Sequence, residues 1–173
     1  MGVKSLADGH TKFTILTTKP ADPENPTVDE LTAGIEASCD VLNSDFTWGP
    51  TDSDKVQEKP LCTEGNANSI GASNYQAGFT IFRYFDAATG KPDASAEDLL
   101  AAVQTKGAQL WGYARRTGQK AKEAWAEDDE IFFGAEISTD NLQPPSDTGG
   151  YIKYRVPAEV QDGWTFIKVA AGA

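Results

Sequence analysis

Short runs of alternating apolar and polar residues recur along the chain and predict a β-rich domain. The stretch 11–18 (TKFTILTT) is β-branched and apolar, a first strand. Pro20, Pro23 and Pro26 then make a stiff, exposed connection. Thr27 is placed to cap a short helical turn through VDELTAG, with Glu30 at the capping-box position and Gly34 as the stop. In 35–42 (IEASCDVL), Ile35, Ala37, Cys39 and Val41 alternate with Glu36, Ser38 and Asp40, the pattern of a half-buried strand.

The run 75–85 (YQAGFTIFRYF) is apolar on both faces, which predicts a central strand covered on both sides. The segment 95–106 (SAEDLLAAVQTK) predicts a flanking helix. Ser95 is its N-cap, Asp98 takes the box position, Leu99, Leu100 and Val103 form the buried stripe, and Gly107 ends it. Further strands are predicted at 108–116 and 130–138. The stretches 151–156 and 164–170 read as a closing antiparallel pair around the turn PAEVQDG. The expected architecture is mainly β: a β-sandwich or barrel of seven to eight antiparallel strands with one α-helix. It forms a single domain over 1–173, with a flexible segment at 1–10.

One segment breaks the rhythm. From 43 to 74 the chain is rich in Asp, Ser, Asn, Gly and Thr, a polar excursion long enough to point to function. Within it stand Phe46, Trp48 and Pro50. Two accounts of Trp48 are open: an aromatic anchor on a projecting arm that contacts another molecule, or a cap on the subunit's own sandwich.

Charge narrows the partners. The chain carries 26 Asp and Glu against 15 Lys and Arg, a formal net charge of -11. Such a surface repels phosphate backbones, so nucleic-acid binding through a basic face is not expected. The acidity serves either solubility or a channel that DNA passes without sticking. No run approaches the ~20 apolar residues of a membrane span. Residues 1–10 lack the apolar core of a signal peptide, so folding in a cytoplasm is expected.

Catalytic motifs are lacking. His10 is the single histidine, and there is no Walker loop or nucleophile elbow. Cys39 and Cys62 have no zinc-type spacing and are expected to be two small, buried, reduced thiols. The acidic run from Glu127 to Glu130 lacks the ligand spacing of a calcium loop and reads as a solvated strand entry. Trp111 and Trp164 fall in strand patterns, as core or interface residues; the four tryptophans could instead form a sugar-stacking platform. No cofactor, metal or catalytic residue is expected.

The order of these parts resembles the major tail proteins of long-tailed bacteriophages, closest to those of phages infecting actinobacteria. The resemblance runs through PTVDELTAG, IEASCDVL, the polar loop ending at KPLC, QAGFTIFRYFD, AQLWGYARRTG, DDEIFFGAEIS and the QPP turn leading to GYIKYRVP. It implies a structural virion protein, not an enzyme. Its subunits would assemble in the host cytoplasm into rings, commonly of six, that stack into a hollow tail tube passing DNA without specific binding. It implies tape measure, tail tip and tail terminator proteins as partners, and no membrane. The loop 43–74 would bridge stacked rings through Phe46, Trp48 and Pro50. The alternative is another structural β-sandwich, such as a decoration or adhesin domain that binds carbohydrate.

Overall fold

The computed structural model describes residues 2–65, 68–146 and 148–172. Asn66 and Ala67 of the 43–74 loop lie outside the described residues, as do Met1, Asp147 and Ala173. Nine strands and two short α-helices appear in the order β1 (Thr11–Leu16), α1 (Val28–Ala33), β2 (Ile35–Glu36), β3 (Thr47–Thr51), β4 (Lys55–Val56), β5 (Ser69–Ile70), β6 (Asn74–Phe82), α2 (Asp98–Val103), β7 (Gln109–Arg116), β8 (Glu130–Thr139) and β9 (Lys153–Lys168). Seven strands form one antiparallel sheet, ordered β2-β1-β7-β8-β9-β6-β3, and β4 with β5 makes a separate hairpin. The mainly β fold expected from the sequence is present, and it is a sandwich.

The sandwich arises because β9 is shared between two partners. Residues 153–158 pair with β6, while 158–168 pair with β8. β6 and β3 thereby fold over β1, β7 and β8. Phe79 of β6 meets Phe13 of β1 with ring centroids 5.4 Å apart. Phe13, Ile15, Phe79, Ile81, Leu110, Phe133 and Val156 fill the space between the layers, and Leu99 and Val103 of α2 close it. The other face of β1 and β7 is covered as well. Leu16, Trp111 and Tyr113 pack there with Leu31 of α1, Trp125 and Val169.

Several local expectations hold. The Thr27 hydroxyl accepts the Glu30 amide hydrogen bond at 3.2 Å, and the Glu30 carboxylate accepts from the Thr27 amide at 2.8 Å, completing the capping box of α1. Others need correction. The predicted strand 35–42 ends at Glu36. The Phe13 amide donates at 2.8 Å to the Ser38 hydroxyl instead of to a ladder carbonyl, and the chain turns away. Cys39 is consequently exposed, and so is Cys62. The two thiols are free but not buried.

The run 75–85 is not central. β6 lies next to the end of the sheet, yet its residues 78–81 are buried on both faces as expected, as are those of β1 and β7. The helix predicted from Ser95 starts at Asp98, because the Ser95 hydroxyl donates to Asp93 at 2.6 Å in a preceding turn.

The closing pair is a single strand of 16 residues. Its VQDG stretch, which has turn chemistry, is a bulge: Ile137 pairs with Val160 and Glu136 with Asp162, so Gln161 is the extra residue. Pro157 fits because its missing N–H takes nothing from the ladder, while its carbonyl accepts from the Asp140 amide at 2.9 Å.

Candidate assembly surfaces

Trp48, the foremost site candidate from the sequence, lies inside its own subunit. It is 6% exposed, its indole rests on Phe13 and Phe133, and its N–H donates to the Phe133 carbonyl at 3.1 Å. Phe46 stacks beside it with centroids 6.2 Å apart and is half-buried. Of the three predicted contact residues only Pro50 faces outward, on the edge strand β3, where proline is tolerated. The first part of the polar loop is therefore a strand, and Trp48 is not an anchor on an arm. Thr47, Gly49 and Pro50 around it give no alternation that would have signalled burial.

The arm itself is shorter. It leaves the sandwich after Thr51, which pairs with Asn74, and carries the β4–β5 hairpin. Its base is clamped: the Asp54 amide donates to the Ala72 carbonyl at 2.9 Å, and the Asn74 side-chain amide donates to Asp54 Oδ1 at 2.9 Å. Between Lys55 and Glu64 every residue but Thr63 is exposed. Leu61 and Ile70 are exposed apolar side chains on this arm, at 109% and 84%.

A second surface lies where β6 ends. Phe82, Arg83, Tyr84, Phe85 and Tyr151 line a groove of ~370 Å³. Phe82 and Tyr151 meet edge to face at 6.0 Å, and the Arg83 guanidinium lies 5.3 Å from the Phe85 ring centre and 5.7 Å from that of Tyr154. Glu97 fixes the floor. Its carboxylate takes a bidentate pair of hydrogen bonds from Arg83 and a third from the Tyr84 amide at 3.2 Å. The Arg83 hydrogen bond holds the Glu97 carboxyl below its ordinary range and raises Arg83 in turn. The Tyr84 hydroxyl donates to Asp40 at 2.6 Å, and this bond, with burial, pushes the phenol up to about 12. The groove is thus pre-formed by locked polar contacts, while Tyr151 and Ile152 on its lip stay exposed.

A third surface is the outer edge of β9. Residues 159–168 pair with β8 on one side and with no named strand on the other, among the described residues. Phe166 sits there at φ 52 and is 72% exposed. An unpaired edge of this length is a template for pairing with another chain.

Behind these surfaces, Arg115 is fully buried. It donates to Asp129 Oδ2 at 2.5 Å and to the carbonyls of Lys120, Glu123 and Ala124, each at 3.1 Å, so one guanidinium holds the β7–β8 connection. Asp129, expected on a solvated strand entry, is instead buried. Trp125 on the same connection donates to the Thr14 hydroxyl at 2.9 Å. With Trp48, Trp111 and Trp125 all buried, the four tryptophans do not line up as a sugar-stacking platform. No helix among the described residues is long and apolar enough to cross a membrane.

A bent-sheet β-sandwich with a projecting arm, an open strand edge and a pre-formed aromatic groove is the form of a structural subunit built to contact other chains. The sequence model of one family, described as phage tail tube protein, matches residues 1–173, and the chain belongs to that family. Membership makes it a structural component of the virion tail that assembles into a tube of many subunits. Comparison with curated proteins gives no match.

Proposed function

We propose that this protein assembles into closed rings, six subunits to a ring, that stack into the hollow tube through which phage DNA passes. The observation that carries the reading is the open edge of β9, a ten-residue stretch paired with β8 on one side only, among the described residues, and carrying an exposed Phe166. Pairing that edge with a neighbouring copy would extend the sheet around a ring and remove the aggregation hazard of a free edge. The arm would bridge to the next ring. The net charge of -11 suits a lumen that DNA crosses without binding. Assembly would take place in the host cytoplasm, with tape measure, tail tip and tail terminator proteins as partners. The sequence resemblance supports a place among the tail tubes of actinobacterial phages.

Sedimentation over a concentration series, with negative-stain microscopy of the fast fraction, tests this. Rings and tubes are expected, and a β9 edge blocked by Thr165→Pro should remain a folded monomer. If that variant assembles as readily as the parent, the ring contact lies elsewhere.

A further inference from the structure

We infer that the aromatic groove at the C-terminal end of β6 is the receptor for the arm tip of a second copy of this chain, so that rings stack head to tail through Leu61 and the lip formed by Tyr151 and Ile152. The inference rests on the tube reading above and names the contact that joins one ring to the next.

The juxtaposition is set by a single strand. The arm springs from the N-terminal end of β6, at the Thr51–Asn74 pair, and the groove opens at its C-terminal end, at Phe82. β6 has nine residues, so the base of the arm and the groove lie roughly 27 Å apart along one axis, at ~3.4 Å per residue. An arm at one end of the strand and a groove at the other form a heterologous contact, and such a contact, where its repetition does not close into a ring, continues as an open stack of identical subunits. Each side also leaves apolar surface open to solvent, although Tyr151 touches Phe82 with one edge of its ring. Leu61 is fully exposed, and Tyr151 and Ile152 are 82% and 58% exposed. One charge match accompanies them: Glu64 stands beside the arm tip, and Lys153 pairs with Phe82 at the groove. The groove's shape is held from behind by Glu97 and Arg83, so docking requires little ordering on that side.

Cys62 gives a direct test, because it is exposed and adjoins Leu61. In a Cys39→Ser background, Ile152→Cys is added, and assembled tubes are treated with a short bifunctional maleimide. A ladder of covalent multimers is expected on denaturing gels, since each subunit is joined to one copy above and one below. Tyr151→Cys serves as a second variant on the same lip. Independently, Leu61→Asp should raise the protein concentration needed for tube growth roughly tenfold, while single rings still form. Tubes that give no multimers with either cysteine variant, or that stop at dimers, overturn the inference and leave the tube reading standing. A parent protein that forms no tubes removes the reading itself, and the inference falls with it.

Discussion

The indole N–H of Trp48 donates to the main-chain carbonyl of Phe133 at 3.1 Å, joining the edge strand β3 to β8 at the middle of the same sheet. The contact closes the sandwich: the two strands belong to opposite layers, and their rings lie 5.9 Å apart. Gly112 of β7 makes room for it. A Cβ there would come within 2.5 Å of the indole, so only glycine lets Trp48 reach the carbonyl.

Trp48→Ala is expected to destabilise the folded subunit by about 3–5 kcal/mol, since it opens a cavity and leaves a carbonyl unpaired. For a chain of 173 residues that lowers Tm by on the order of 10 °C. Gly112→Ala should cost about 1–3 kcal/mol by displacing the indole. Thermal melts of the unassembled protein read both. An unchanged Tm in Trp48→Ala would return this residue to the role of an exposed anchor.

Asp129→Ala should be among the most damaging single changes, because it leaves the Arg115 guanidinium buried without its counter-charge, at a cost of about 3–5 kcal/mol. Replacing both residues, as in Arg115→Met with Asp129→Leu, should recover part of that loss. Urea denaturation of the two single variants and the double variant measures the coupling. A double variant no better than Asp129→Ala would mean that the guanidinium's bonds to the Lys120, Glu123 and Ala124 carbonyls matter more than the ion pair.

Two of the five tyrosines should ionise late. Tyr84 is pushed up to about 12 by its hydrogen bond to Asp40, and Tyr113 is raised by burial. Both are held neutral in the folded state. Their contribution to stability is therefore whole below pH 10.0, the ordinary tyrosine value, and is lost as pH rises through 10.0 toward 12 for Tyr84. Near-ultraviolet absorbance titration should show a delayed step that shrinks in Tyr84→Phe. At the acid end Glu97, lowered by Arg83, contributes above its ordinary 4.5 and ceases to as pH falls. Arg83→Met should remove that part of the acid sensitivity.

Cys39 and Cys62 should both react with a thiol reagent in the native, unassembled protein without denaturant, because both are exposed. A slow or denaturant-dependent reaction at either would contradict the geometry at the Ser38 turn or on the arm.

Much of this architecture was legible in the chain. The Thr27–Glu30 box, the apolar runs of β1, β7 and β8 and the length of the polar excursion follow from local chemistry. What escaped depends on distant partners. Trp48 sits between Thr47 and Gly49-Pro50, and nothing nearby reveals that Gly112, 64 residues on, leaves a hollow for its ring. The VQDG stretch carries the residues of a turn, yet pairing with β8 and β6 draws it into one strand and leaves Gln161 as a bulge. Ser38 and Ser95 lie in regular patterns but spend their hydroxyls on turns. The groove was illegible for a further reason. Its aromatic residues fit the alternation of strand faces, and only the end of β6 at Phe82 turns Tyr84 and Phe85 away from the sheet.

A cryo-EM reconstruction of assembled tails would decide whether this chain builds the tube. A stack of rings is expected in which this sandwich fits the repeating density, with β9 edges paired between neighbours within a ring and the 52–73 arm crossing to the next. Tails whose tube density is built from a different fold, with this chain monomeric in solution or decorating the outside, would contradict it.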